Sequence, residues 1–158
     1  MDDPTTAATT ALTRMLHAVD ALDWATARAT FADTVRVDYT ELAGGEIEDV
    51  AADELIGRWQ SVFPGFEATQ HVTGPCVVTP EDNDVVRVDT HVRSFHRIAD
   101  ADGGPIWGVH GHYVARVRSG LITGLTLQLF YQEGNTNLPV LAPAGAAKPQ
   151  NLLQRRRG

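Results

Sequence analysis

From about residue 84 to residue 132 the chain runs one pattern three times: a long stretch of alternating apolar and polar residues, then a short turn composition. The stretches are 84–98, 106–118 and 121–132, parted by Ala101-Asp102-Gly103-Gly104 and by Ser119-Gly120. A fourth, 66–79, precedes them across Pro80-Glu81-Asp82-Asn83. A period of two places alternate side chains on opposite faces of a strand. Connections this short join antiparallel neighbours. Four long strands therefore make up most of one sheet.

The first part of the chain reads differently. Leu12, Met15, Leu16, Val19 and Leu22 recur at helical spacing from about Thr9. Asp23 caps a second short helix from Trp24 to about Phe31. Val35, Val37 and Tyr39 then alternate with Arg36 and Asp38 as a strand. After the Gly44-Gly45 turn a third helix is expected over 50–63, carrying Leu55, Ile56, Trp59 and Phe63 on one face and stopped at Pro64-Gly65. Helices first and strands last predict an α+β fold. The expected form is a cone-shaped α+β barrel: a curved, mostly antiparallel sheet wrapped around three N-terminal helices, with an internal pocket. Residues 1–8 read as a disordered lead, 9–133 as the cone domain, and 134–158 as a Pro/Ala-rich tail on the surface.

Composition removes several function classes. A net charge of −7 lacks the basic face of a nucleic-acid binder. The basic run Arg155-Arg156-Arg157 reads as a solvated tail. No stretch approaches the ~20 apolar residues of a membrane span. The acidic start Met1-Asp2-Asp3-Pro4 is unlike a signal peptide, so a cytoplasmic location is expected. The single cysteine, Cys76, excludes an internal disulfide and reads as an inert, buried thiol.

Strand parity assigns faces. Val86, Val88, Thr90, Val92, Ser94 and His96 share the apolar face of 84–98, so His96 points inward and His91 outward. Trp107, Val109, Gly111, Tyr113, Ala115 and Val117 share that face in 106–118. Gly111 in mid-strand leaves room for something to approach the sheet. His110 and His112 fall on the outer face. Two histidines without a third ligand make a poor metal site, and a subunit contact is the expected role of that face.

Four polar residues scattered through the sequence sit at the ends of, or in phase with, these patterns: Asp20, Tyr39, His71 and His96. Asp20 lies at the edge of the first helix's apolar stripe and could equally face solvent. Tyr39 shares the Val35/Val37 face and could be plain core. Parity leaves His71 undecided, because placing Phe66 and Ala68 inward puts Gln70 on their side.

Asp20-Ala21-Leu22-Asp23-Trp24, Val37-Asp38-Tyr39, Glu54-Leu55-Ile56-Gly57, Thr69-Gln70-His71, Val92-Arg93-Ser94-Phe95-His96-Arg97 and Gly111-His112 together carry a likeness. Over about residues 10–133 the chain resembles the SnoaL-like branch of the nuclear transport factor 2 fold, and within it the scytalone dehydratases. The resemblance implies the cone fold and dehydration of a small hydroxylated cyclic ketone without a cofactor or metal. It implies that His71 transfers the proton, that Asp20 steadies it, that Tyr39 polarises the carbonyl, and that His96 forms a second polar wall. It implies a dimer or trimer. The substrate wall is expected from Val19, Trp24, Trp59, Phe63, Thr90, Val92, Gly111 and Tyr113. Val19 stands where those dehydratases carry a second tyrosine, and Gly111 and Tyr113 stand roughly where they carry Ser and Asn.

The expected function is therefore a dehydratase acting by general acid–base catalysis. The alternatives are an isomerase or polyketide cyclase using the same groups, or a ligand-binding module without turnover.

Overall fold

A computed structural model describes residues 3–145. The first helix, α1, runs Pro4–Asp20. It starts well ahead of the expected position near Thr9, so residues 4–8 are helical rather than a disordered lead. Proline suits the first helical position, where its missing N–H loses nothing. The Asp3 carboxylate accepts a hydrogen bond from the Thr6 N–H at 3.2 Å. Leu12, Met15 and Leu16 are buried, each contributing roughly 1.5–3 kcal/mol.

The end of α1 matters for function. The Leu22 N–H donates to the Val19 carbonyl at 3.0 Å and the Asp23 N–H to the Ala18 carbonyl at 2.8 Å. This is a Schellman closure with Leu22 at a φ of 54°. Leucine in that left-handed conformation costs about 1–2 kcal/mol. The Asp23 side chain caps α2 (Trp24–Ala29) through the Thr26 N–H at 3.1 Å. The chain thus turns sharply just after Asp20.

Next come β1 (Phe31–Asp38), the short helix α3 (Thr40–Ala43), β2 (Glu48–Ala51) and α4 (Ala52–Gln60). The helix expected over 50–63 is shorter at both ends. Glu48–Ala51 pairs antiparallel with β1, Val50 opposite Val35 and Asp49 opposite Arg36. A 3₁₀ turn, Phe63–Gly65, follows α4. The single strand expected over 66–79 is two strands, β3 (Ala68–Thr73) and β4 (Val77–Pro80), both paired with β5 (Val85–Arg97). Gly74-Pro75 breaks the run because proline cannot donate to the ladder. β6 (Ile106–Arg118) and β7 (Leu121–Gly134) complete the sheet.

Among the described residues the seven strands form one curved, unclosed sheet in the order β2-β1-β7-β6-β5-β3, with β4 also on β5. The β1–β7 pair is parallel and the rest are antiparallel. β5 and β6 pair along their whole length, from Val85↔Arg118 to Arg97↔Ile106. The α1 helix packs into the concave face against β3, β5, β6 and β7.

The expected surface tail is also revised. Residues Leu138–Gly145 form α5, whose Leu138 and Ala142 are fully buried. The helix lies on the 3₁₀ turn so closely that a Cβ on Gly65 would stand 1.6 Å from the Ala142 carbonyl oxygen. Asn135 anchors the approach by donating to the carbonyls of Asp102 and Gly104, both at 2.9 Å. The Arg155–Arg157 run lies outside the described residues.

Candidate active site

The concave face encloses a cavity of about 290 Å³ between α1, α4, the 3₁₀ turn and strands β3, β5, β6 and β7. Its lining is mostly apolar, with Met15, Leu16, Val109 and Leu127 among the walls and Pro139 of α5 at one edge. Polar atoms enter it at a few positions.

The first is the Asp20–His71 pair. His71 lies in β3, opposite Ser94 of β5. Its Nδ1 is 2.6 Å from Asp20 Oδ1, and both side chains are nearly buried, 9% and 11% exposed. The Asp20 carboxylate also accepts from the His71 backbone N–H at 2.8 Å and from the Thr69 hydroxyl at 3.1 Å. A carboxylate in the last turn of a helix opposes the helix dipole, so these donors hold it where the helix alone would not. With Nδ1–H donated to Asp20, Nε2 is the ring nitrogen left for the cavity.

His96 is the second. The expected inward phase of β5 holds, and His96 is buried. Its Nδ1 donates to the Trp107 carbonyl at 3.3 Å. Its ring lies 4.5 Å from the Trp107 ring, 4.9 Å from Phe66 and 5.9 Å from His71, perpendicular to the last. Burial, helped by the nearby His71, pulls its pKa down to about 3. At neutral pH it is an uncharged ring whose Nε2 is an acceptor, with no protein donor on it among the described residues.

The third is a pair of phenols. Tyr39, between β1 and α3, has its hydroxyl 3.0 Å from that of Tyr113 in β6, with the rings edge to face. Burial raises both phenol pKa values, most at Tyr39.

Of the expected wall, Val19, Trp59, Phe63, Val92 and Tyr113 line the cavity; Trp24, Thr90 and Gly111 do not. Trp24 packs behind Phe63, ring centres 6.5 Å apart. The Thr90 hydroxyl donates to the Gly74 carbonyl at 2.9 Å and serves the strand pairing. Gly111 does mark a close approach, but of protein: its Cβ would meet the Gln128 carbonyl oxygen at 2.4 Å, beside the bulge in the β6–β7 pairing. Thr69, Ser94, Trp107, Arg58 and Pro139 were not expected at the site. Thr69, Ser94 and Trp107 belonged to segments already singled out; nothing in the sequence pointed to Pro139.

His71 faces inward because Phe66 precedes the strand. The phase starts at Ala68, which turns Thr69 and His71 in and Gln70 out. The outer-face histidines also have defined places. His110 is buried under Tyr131, stacked at 4.4 Å, with Glu133 Oε1 at 2.6 Å from Nε2 and Arg93 donating to Nδ1 at 3.3 Å. His112 bonds Gln128 at 2.9 Å and faces His91 across the β5–β6 pair. Cys76 is half-buried rather than fully so. No helix among the described residues is long and apolar enough to cross a membrane.

Residues 5–120 match the SnoaL-like domain family. A comparison with curated protein sequences gives no match. Among solved structures, the Kfla4162 protein from Kribbella flavida superposes with a TM-score of 0.78 at 24% identity, covering 85% of this chain and 95% of that one. A protein of Novosphingobium aromaticivorans that carries scytalone dehydratase as a provisional name superposes at 0.64 with 17% identity, covering 85% and 92%. RV0760c from Mycobacterium tuberculosis, in complex with estradiol-17beta-hemisuccinate, superposes at 0.62 with 15% identity, covering 80% and 98%. With a family match over most of its length and this shared architecture, the chain belongs to the SnoaL-like domain family and has the cone of the nuclear transport factor 2 fold.

Proposed function

We propose that the protein is a dehydratase that removes water from a small cyclic β-hydroxy ketone without a cofactor. The observation that carries this reading is the His71–Asp20 contact at 2.6 Å, which sets the His71 ring in the wall of a mostly apolar cavity. Neutral His71 takes the proton α to the carbonyl through Nε2, and the electron pair moves toward the carbonyl oxygen as an enolate. The enolate collapses, the carbon–oxygen bond at the β position breaks, and the imidazolium returns its proton to the departing hydroxyl. Ketone becomes enone plus water, and His71 is neutral again. Asp20 holds the tautomer and steadies the transient imidazolium. Such general acid–base help is worth about 10²–10⁴-fold.

The phenol pair Tyr39–Tyr113 supports the enolate. One positioned donor of this kind contributes about 3 kcal/mol in a dry site. His96, an acceptor at neutral pH, suits a hydroxyl or N–H on the substrate. Arg58, a cation on the lining, is bound by Glu48 and by Glu54 at 2.6 Å. Its charge is thus already matched, which favours an uncharged substrate. The steroid ester held by RV0760c is consistent with ring systems as ligands of this fold. The outer sheet face, where Phe130 and Tyr131 are exposed, belongs to the same proposal as the contact of a homo-oligomer.

The test is an assay with 3-hydroxy-1-tetralone, whose dehydration and tautomerisation yield 1-naphthol. Appearance of naphthol, lost in His71→Ala, supports the reading. A product of unchanged mass would indicate isomerisation instead, and binding without any product would leave only a ligand-binding role.

A further inference from the structure

We propose that Tyr113, not Tyr39, is the phenol that touches the enolate oxygen, and that Tyr39 stands behind it as a positioning residue. This rests on the dehydratase reading above and assigns its oxyanion donor.

Sheet order carries the argument. Tyr39 follows β1, His71 is in β3 and Tyr113 is in β6, and the strands run β1-β7-β6-β5-β3. Tyr113 therefore stands between the other two. At about 4.8 Å per strand it is two strands, roughly 10 Å of backbone, from the base; Tyr39 begins twice as many strands away.

The cavity face of β6 puts no competing polar side chain on that route. Val109 faces Ser94, which in turn faces His71. The next position of that parity toward Tyr113 is Gly111, which has no side chain. The Gln128 carbonyl oxygen and Leu127 Cδ1 of β7 stand 2.4 and 3.1 Å from where its Cβ would be, so the wall there is Leu127, an apolar side chain that offers no competing hydrogen bond.

Proton counting agrees. Two phenols carry two O–H groups, and one is used in the 3.0 Å contact between them. Neither hydroxyl has another hydrogen-bond partner among the described residues. One O–H is left for whatever fills the cavity. If Tyr39 donates to the Tyr113 oxygen, Tyr113 donates onward, and a hydroxyl that accepts one bond donates the next more strongly. The acidities run the same way: burial raises both phenols, but the Tyr39 bond pulls Tyr113 back down, while its partner pushes Tyr39 further up.

The test has two arms on the full chain. In the first, 4-nitrophenol is titrated against wild type, Tyr39→Phe and Tyr113→Phe, and absorbance reports the ionised fraction of bound probe. Wild type should favour bound phenolate. Tyr113→Phe should abolish that preference and Tyr39→Phe should only reduce it. In the second, turnover of 3-hydroxy-1-tetralone should fall about 10²–10³-fold in Tyr113→Phe and less in Tyr39→Phe. The double variant should match Tyr113→Phe alone, because Tyr39 acts through Tyr113. Abolition of the phenolate preference by Tyr39→Phe with Tyr113→Phe unaffected, no binding by wild type, or additive losses would each overturn the assignment. Should Tyr113→Phe not fold, wild type labelled with 3-fluorotyrosine gives the answer: 4-nitrophenol must shift the Tyr113 fluorine resonance more than that of Tyr39. The first arm needs no turnover, so absence of naphthol with an intact phenolate preference would remove the dehydratase reading and leave the Tyr113 contact standing.

Discussion

His71 Nδ1 stands 2.6 Å from Asp20 Oδ1 and ties the last turn of α1 to β3. The same carboxylate holds the His71 backbone N–H and the Thr69 hydroxyl. His71 and Asp20 are thus fixed by one network. Replacing Asp20 with Asn keeps the shape but removes the charge that steadies an imidazolium. Asp20→Asn should lower kcat on 3-hydroxy-1-tetralone by about 10²-fold or more, and His71→Ala by up to about 10⁴-fold. Far-UV circular dichroism should be unchanged. Full activity in either variant would remove the assigned role.

His96 predicts a pH dependence of stability. Its pKa is about 3 in the folded chain against an ordinary value of 6.5. The unfolded chain therefore binds a proton between those values that the folded chain refuses, and stability falls as pH falls through 6.5 toward 3. Above about 6.5 His96 contributes no slope. Urea melts of wild type and His96→Phe at several pH values check this: the variant should lose less stability between pH 7 and pH 5 than wild type does.

Gly65 predicts how α5 is held. A Cβ there would stand 1.6 Å from the Ala142 carbonyl oxygen, and backbone cannot yield as a flexible side chain does. Gly65→Ala should destabilise by about 1–3 kcal/mol. Amide exchange in α5 should rise, while β5 and β6 stay protected. Because Pro139 lines the cavity, ligand affinity should drop as well.

Filling the cavity separates the space from the fold. Val92 is buried on the cavity wall, 3% exposed. Val92→Phe should displace 4-nitrophenol, with little loss of melting temperature, if the added ring enters the existing space rather than packed core. A variant that binds the probe as well as wild type would place the ligand elsewhere.

The inward faces of β5 and β6 were legible in the sequence because alternation is local: each residue's face follows from its neighbours. His96, Val92 and Tyr113 came from that rule. His71 did not, because Phe66 and Ala68 straddle the boundary between a 3₁₀ turn and a strand, and parity counted across that boundary is wrong by one. The Glu48–Ala51 strand and α5 were missed for another reason. Both take their conformation from a partner, β1 for one and the 3₁₀ turn for the other.

Sequence alone therefore determined the α+β class, the strand phases and a short roster of polar candidates, since period, turn composition and capping act over a few residues. Tertiary structure decided which of them meet. Register on β5 turns His71 inward, the Schellman turn at Leu22 leaves Asp20 at its side, and the order of strands sets the strand of Tyr113 between those of Tyr39 and His71. Those are contacts between residues as many as 74 positions apart, made by the pairing and packing of whole elements that no local pattern encodes.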